Sequence, residues 1–210
     1  MKQVFDNISH EMSTLTTKRY STSFSLGIKM LHAEIQQPIY SVYGFVRFAD
    51  EIVDSFHGFD KEWLLEDFRK QTYQSITDGI SLNPILNSFQ WVVNKYNIPL
   101  ELIETFLESM KMDLNKQAYD EEQYKKYILG SAEVVGLMCL KIFVDGDEAE
   151  YLRLKPAAMK LGSAFQKINF LRDIRSDYEE RGRVYFPGID FNKSITCSSN
   201  SCLLITIFIP

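Results

Sequence analysis

Two acidic five-residue segments carry the strongest chemical signal in this chain. The first runs Asp50-Glu-Ile-Val-Asp54 and the second Asp173-Ile-Arg-Ser-Asp177. Because positions i and i+4 lie on one face of an α-helix, each segment projects two carboxylates in one direction. We call these segments the first and second aspartate cassettes. If their two helices face each other across a shared space, four acidic groups converge on one volume.

Converging carboxylates need positive charge to hold them together. Two carboxylates about 4 Å apart repel each other by about 4 kcal/mol at an effective dielectric of 20. Hard oxygen donors without a soft ligand nearby indicate Mg²⁺, which binds a few carboxylates together with substrate phosphates. The pair of cassettes therefore predicts Mg²⁺-dependent chemistry on a diphosphate, with Mn²⁺ as the alternative metal.

Each cassette continues a polar stripe along its helix. The stripes are Tyr43, Arg47, Asp50 and Asp54 on the first helix, and Gln166, Asn169, Asp173 and Asp177 on the second. One such stripe alone fits an ordinary solvated, ion-paired face equally well, whereas two of matching design favour a shared site. The apolar contacts of the second helix are expected from Leu161, Phe165, Ile168 and Leu171. Beside the second cassette, Arg172 suits either a surface ion pair or a diphosphate contact, since a guanidinium matches phosphate oxygens bidentately.

The elements that must position these stripes are helices. Helix starts are marked by Asp60 and Asn83 as N-caps, and by Pro38 and Pro84 at first helical positions. Strand signals are nearly absent before the C-terminal end, so we predict an all-α single domain. The predicted helices lie near residues 3–19, 24–33, 38–56, 61–76, 84–96, 99–114, 121–143, 148–160 and 161–180.

Composition narrows the class of protein. The chain has 210 residues and a formal net charge of −5, which argues against nucleic-acid binding because no basic stripe can neutralise phosphates. Three cysteines without metal-type spacing and no visible signal peptide indicate a reducing cytoplasm. Residues 194–210 form a charge-free tail, which we interpret either as an edge strand or as a departure from the native reading frame.

The motifs resemble the squalene/phytoene synthase family, the head-to-head isoprenyl diphosphate synthases. Tyr40-Ser-Val-Tyr-Gly-Phe-Val-Arg-Phe-Ala-Asp-Glu-Ile-Val-Asp54 is similar to the family's first aspartate-rich motif. Residues 161–177, continuing through Gly182-Arg-Val-Tyr-Phe-Pro187, are similar to the second. Weaker matches are Tyr20-Ser-Thr-Ser-Phe-Ser25 and Tyr127 together with Val135-Gly-Leu-Met138. The resemblance implies an isoprenoid synthase-type helical bundle around a central cavity over residues 1–193, lacking the further helices that family members carry.

The resemblance also implies a role for each residue of the site. Asp50, Asp54, Asp173 and Asp177 would hold Mg²⁺ with the help of Asn169, and Tyr127 would lie near the reacting carbons. Together with Arg47, the four aspartates and Tyr127 form the implied catalytic set. The implied substrate-binding residues are Ser21, Ser23, Tyr43, Arg47, Gln166, Asn169 and Arg172.

The implied reaction is a 1′-1 condensation of two allylic prenyl diphosphates with release of diphosphate. Two geranylgeranyl diphosphates giving phytoene, in carotenoid biosynthesis, is the first choice. Squalene or dehydrosqualene synthesis from farnesyl diphosphate is the alternative, and an inactive helical binding or assembly protein is the alternative of another class. We expect a cytoplasmic protein, and the sequence leaves open its oligomeric state and any peripheral contact with the inner face of a membrane.

Overall fold

The computed structural model describes residues 1–115, 119–179 and 182–187. The predicted tail at 194–210 lies outside these residues. Helices dominate the described part of the chain, and no helix there is both long and apolar enough to cross a membrane. The helices are α1 (Lys2–Tyr20), α2 (Thr22–Lys29), α3 (Ala33–Asp54), α4 (Lys61–Asp78), α5 (Pro84–Tyr96), α6 (Leu100–Asn115), α7 (Glu121–Ile128), α8 (Val134–Phe143) and α9 (Glu148–Glu179), with a π-helical turn at Leu129–Glu133 between α7 and α8.

The core forms around α3, which packs against α1, α4, α5, α6 and α8. Phe45 of α3 has no exposed surface and stacks on Phe89 of α5 with ring centroids 3.9 Å apart. Phe106 of α6 completes the group at 5.4 Å from the Phe45 ring. Burying an aromatic ring of this size contributes on the order of 2–3 kcal/mol, so this group fixes α3 at the centre of the bundle.

Small hydroxyl side chains mediate the packing of α1 against α3 and α5. A Cβ added at Gly44 of α3 would lie 3.1 Å from the Ser13 Oγ, so the two helices approach closely here. The buried face of α1 consists of Ser9, Ser13, Thr16 and Thr17. This leaves an apolar stripe on its outer side, formed by Val4, Ile8, Met12 and Leu15, all more than a third exposed.

Two helices extend past the boundaries predicted for them, and each contains a proline. Pro38 was predicted to start a helix, but α3 begins five residues earlier, at Ala33. Pro156 lies within α9, which runs unbroken for 32 residues where two helices were predicted to meet near residue 160. Each proline removes only one backbone hydrogen bond, and the packing of the surrounding turns outweighs that loss.

The predicted helix over residues 121–143 is instead divided by the π turn, which adds one residue to a helical turn. Two glycines allow the close packing of this region. A Cβ at Gly130 would lie 2.4 Å from the Ser109 Cβ of α6, and one at Gly162 of α9 would lie 2.8 Å from the Ala132 carbonyl oxygen. The π turn is therefore held between α6 and α9 at near-backbone contact.

The outer face of α9 differs from the prediction. The side chains expected to supply its apolar contacts are more than half exposed, with relative exposures of 59% for Leu161, 60% for Phe165, 59% for Ile168 and 52% for Leu171. Helix α9 instead packs against the π turn and α8 through its opposite face. Periodicity identified an apolar stripe correctly but could not show which side of the helix the described bundle would cover.

Candidate active site

The last residues of the two aspartate cassettes are linked by one arginine. The Arg183 Nη1 donates to the Asp54 Oδ1 over 2.6 Å, and the Arg183 backbone N–H donates to the Asp177 carbonyl oxygen, with N and O 2.8 Å apart. Arg183 and Asp177 are buried, each with 8% of its surface exposed. The segment 182–187 therefore connects the C-terminal end of α3 to that of α9.

The first cassette is completed by Arg47, one turn before it on α3. The Arg47 Nη1 contacts the Asp50 Oδ2 at 2.6 Å, and its Nη2 also pairs with Glu51. Burial opposes the charge of Arg47, but the Asp50 and Glu51 carboxylates raise its pKa overall. Its Nε is buried without a hydrogen-bond partner. Arg47 thus remains a cation, and one of its N–H groups has no hydrogen-bond partner in the described structure.

Aromatic and hydroxyl groups surround Arg47 on the side of α2. Its guanidinium lies 4.3 Å from the centroid of the Tyr20 ring, and the Tyr43 ring stacks on Phe24 at 5.0 Å. Burial raises the pKa of Tyr43, so its hydroxyl keeps its proton. Ser21 caps α2, where its Oγ accepts from the Phe24 backbone N–H over 3.2 Å.

The predicted serines therefore differ in environment. Ser21 lies beside Tyr43. A hydrogen bond from the Ser21 side chain acts to lower the pKa of Tyr43, against the larger effect of burial. Ser23 is exposed on α2. The structure thus gathers Ser21, Tyr43 and Arg47 beside the first cassette, while Ser23 lies at the surface.

On α9, the predicted polar stripe forms a continuous line. The Gln166 Nε2 donates to the Ser131 Oγ of the π turn over 3.3 Å, and the Asn169 Nδ2 donates to the Gln166 Oε1 over 3.5 Å. One turn further on, Asp173 pairs with the neighbouring Arg172 through contacts of 2.7 and 2.6 Å. The π turn therefore anchors one end of the stripe, and Arg172 stays charged because Asp173 raises its pKa.

Sequence reasoning missed Asp113, which lies at the end of α6. Its carboxylate accepts hydrogen bonds from the hydroxyls of Tyr119 and Tyr127, both over 2.6 Å, and from that of Tyr185 over 3.4 Å. Burial raises the pKa of Asp113 to about 6, although Arg183 and the tyrosine hydroxyls act in the opposite direction. We call Asp113 and these three tyrosines the tyrosine cluster.

The tyrosine cluster is joined to both cassettes. The Arg183 Nη2 donates to the carbonyl oxygens of Val53 and Asp113, each over 3.3 Å. The Tyr185 ring stacks on the ring of Phe170 in α9, with the two centroids 4.2 Å apart. Phe170 directly follows Asn169 in the chain. Asp113 follows Met110 by three residues and Phe106 by seven, so it lies on the same face of α6 as these two buried side chains. A carboxylate on that apolar face was the one signal in the sequence that could have identified it.

The donor chemistry of this region fits Mg²⁺, since the four cassette aspartates offer hard carboxylate oxygens. Within the part of the chain that the structure describes, Asp50, Asp54 and Asp173 each contact an arginine side chain. Within the described residues, no three His, Cys, Asp or Glu side chains are grouped so that they could hold a metal ion. The metal site therefore stays a prediction.

A separate cleft lies between α4 and α6, with a volume of about 320 Å³. Its lining includes Leu65, Arg69 and Leu107, and none of the predicted site residues. Arg69 pairs there with Glu104 and Glu108. This cleft is therefore distinct from the region of the cassettes.

Comparison with known proteins identifies similar sequences. The family model described as squalene/phytoene synthase matches residues 17–203. The phytoene synthase of Arthrospira platensis is 26% identical over 190 residues, which are 85% of this chain and 61% of that protein. The 4,4'-diapophytoene synthase of Staphylococcus haemolyticus is 28% identical over 188 residues, which are 85% of this chain and 63% of that protein. This chain thus spans less than two thirds of the length of either relative.

Solved structures share the fold. The squalene synthase HpnC from Alicyclobacillus acidocaldarius superposes with a TM-score of 0.75 at 27% identity, covering 88% of this chain and 68% of that one. A dehydrosqualene synthase in complex with a ligand gives the same TM-score of 0.75 at 24% identity, covering 87% of this chain and 62% of that one. The predicted all-α, isoprenoid synthase-type fold is confirmed.

Proposed function

The chain belongs to the squalene/phytoene synthase family, and from this premise we propose that it condenses two allylic prenyl diphosphates head to head with release of diphosphate. Two geranylgeranyl diphosphates giving phytoene is the favoured reaction, because phytoene synthases are among its relatives. The observation that carries the proposal is the link through Arg183 between Asp54 and Asp177, which brings the ends of both cassettes together.

Binding of the diphosphates is assigned to the charged groups of both stripes. Arg47 supplies a guanidinium with a buried, unpartnered Nε–H. The residues proposed to hold Mg²⁺ are Asp50, Asp54, Asn169, Asp173 and Asp177. When bound, the metal would supply positive charge that favours departure of the diphosphate. Arg172 and Gln166 would orient the same group from α9.

The proposed chemistry begins when the C1–O bond of one allylic diphosphate breaks. The first diphosphate leaves with the electrons of that bond, the double bond of the second prenyl chain attacks the allylic cation, and loss of a first proton closes the ring to a cyclopropylcarbinyl diphosphate. Loss of the second diphosphate, rearrangement and loss of a second proton yield the linear product. The protein must exclude water throughout, because water would capture the cation; the stacked rings of Tyr43 and Phe24 contribute an apolar wall beside Arg47.

A second candidate within the family is condensation of farnesyl diphosphate to a dehydrosqualene-type product. The specific observation in its favour is the 28% identity to a 4,4'-diapophytoene synthase. Both candidates use the same diphosphate-binding groups and differ in the length of the prenyl chain that is accepted.

The discriminating experiment is incubation of the chain with Mg²⁺ and labelled geranylgeranyl or farnesyl diphosphate. A C40 product from the first substrate supports phytoene synthesis, and a C30 product from the second supports the alternative. Asp50→Ala and Asp173→Ala are each expected to abolish turnover and keep the helical circular dichroism signal, whereas Asp78→Ala, at an exposed position on α4, is expected to keep activity. Failure of the wild-type chain to bind or convert either substrate would favour an inactive helical protein.

We also propose that the protein works in the cytoplasm with peripheral contact to a membrane. The proposed product is a hydrocarbon, and α1 presents an exposed apolar stripe that includes Ile8 and Met12. Co-sedimentation with lipid vesicles tests this, and Ile8→Glu is expected to reduce binding. Equal recovery of wild type and variant with the vesicles would contradict it.

A further inference from the structure

Asp113 is a buried carboxylate to which the proposed reaction assigns no role. Only 5% of its surface is exposed, yet it lies among three tyrosine hydroxyls and beside the Arg183 guanidinium. A buried charge persists only where hydrogen bonds and opposite charges stabilise it. The tyrosine cluster therefore places several polar groups together in a buried, largely aromatic region.

The direction of the hydrogen bond between Asp113 and Tyr127 follows from their chemistry. An ionised carboxylate can only accept, and a tyrosine hydroxyl has one proton to donate and lone pairs that accept. Tyr127 therefore donates its proton to the Asp113 Oδ2, 2.6 Å away. Its phenolic oxygen then has no proton left for any other partner.

Charge reinforces this arrangement. Asp113 and Asp54 contribute two negative charges, and Arg183 contributes one positive charge to the same group of contacts. The charge of Asp113 is one cause that raises the pKa of Tyr127, after burial. The Tyr127 oxygen is therefore an acceptor backed by a negative charge, a setting that disfavours an anion such as diphosphate and favours a cation.

We propose that Asp113 is a positioning residue for Tyr127, whose proton it holds so that the phenolic oxygen faces the positively charged prenyl carbons and not the diphosphate. This inference rests on the proposed function and adds to it the orientation of the substrate. The diphosphate then lies towards Arg47 and the cassettes, and the allylic carbons lie towards the tyrosine cluster.

The experiment measures binding of two unreactive ligands to the full chain by calorimetry, in the presence of Mg²⁺. One ligand is geranylgeranyl thiodiphosphate, which carries no positive charge on its carbons. The other is a geranylgeranyl dimethylammonium ion with inorganic diphosphate, which imitates the cation. We expect Asp113→Asn and Tyr127→Phe each to weaken binding of the ammonium ligand on the order of tenfold, and to change binding of the thiodiphosphate by less than about twofold.

The double variant tests whether Asp113 acts through Tyr127. Its affinity for the ammonium ligand is expected to match that of the weaker single variant within about twofold, because coupled residues are not additive. Effects that multiply would overturn the proposal. So would equal losses for both ligands, or no loss for the ammonium ligand.

Tyr119→Phe is the matched control, since it removes another donor to the same carboxylate and leaves the Tyr127 hydrogen bond in place. It should alter neither affinity; the same selective loss as in Tyr127→Phe would indicate a merely structural network. If Asp113→Asn does not fold, the comparison of Tyr127→Phe with Tyr119→Phe decides the question. A wild-type chain that binds neither ligand refutes the proposed function, whereas unselective variants refute this inference alone.

Discussion

The burial of Asp113 predicts a distinctive dependence of stability on pH. The pKa of this carboxyl rises from its usual 3.8 to about 6 in the folded chain. The folded state therefore binds the proton more tightly than the unfolded state between these values. The free energy of unfolding contributed by this group is highest at low pH and falls as the pH rises from about 4 through about 6.

The magnitude follows from the size of the shift. Each pKa unit corresponds to about 1.4 kcal/mol, so a shift of about two units corresponds to about 3 kcal/mol between the two ends of the range. Asp113→Asn removes the titrating group and keeps the shape of the side chain. Relative to wild type, the free energy of unfolding of the variant should rise by about 2 kcal/mol between pH 4 and pH 7, because the rest of the difference lies below pH 4. A constant cost of the substitution does not affect this change.

The assay is urea unfolding followed by circular dichroism at half-unit steps of pH, for wild type and Asp113→Asn. Asp78→Asn, at an exposed carboxylate on α4, is the control, and its curve is expected to run parallel to that of wild type. Parallel curves for Asp113→Asn and wild type would refute the reasoning, since they would show that this carboxyl titrates alike in both states.

Two further substitutions test the packing and the charge of the site. Gly130→Ala should lower the free energy of unfolding by about 2–3 kcal/mol in urea titrations, because the new Cβ would lie 2.4 Å from the Ser109 Cβ. The control Gly27→Ala, whose new Cβ would have nothing within 4 Å, should stabilise the protein by up to about 1 kcal/mol. Equal effects of the two substitutions would contradict the argument. Arg183→Met should cost about 3 kcal/mol in the same titrations by loss of a buried ion pair, and clearly more than the exposed control Arg153→Met. A cost no larger than that of Arg153→Met would show that Arg183 does not hold the cassettes together.

Local signals in the sequence were sufficient for most helix positions. The Asp60 Oδ1 accepts from the Trp63 backbone N–H over 2.9 Å, and the Asn83 Oδ1 from that of Ile85 over 3.1 Å, as expected of N-caps. Both caps act within three residues, so the sequence contains everything that they need. Pro38 was wrongly predicted to start a helix, because the single hydrogen bond that it removes contributes less than the tertiary packing of a long helix.

The site could be predicted only in part, for a similar reason. The i+4 spacing placed both carboxylates of each cassette on one face of a helix, which is a local property. The contact between Asp54 and Arg183 joins residues 129 positions apart, and that between Asp113 and Tyr185 joins residues 72 positions apart. Such contacts depend on where the C-terminal ends of helices α3, α6 and α9 lie relative to one another in space. The periodicity of the sequence contains no information about these positions. Whether the four aspartates hold a metal stays a prediction.

The π turn at Leu129–Glu133 has a consequence for how this chain can change. One extra residue turns the helix by about 100° relative to an uninterrupted α-helix. Tyr127 can therefore face the hydroxyl groups around Asp113 while Leu137 and Met138, ten and eleven residues on, face the apolar centre. Loss of a single residue from this turn would preserve a helix on either side and yet present the wrong face to one of the two environments. Insertions and deletions, more than substitutions, are thus the changes that this segment tolerates least.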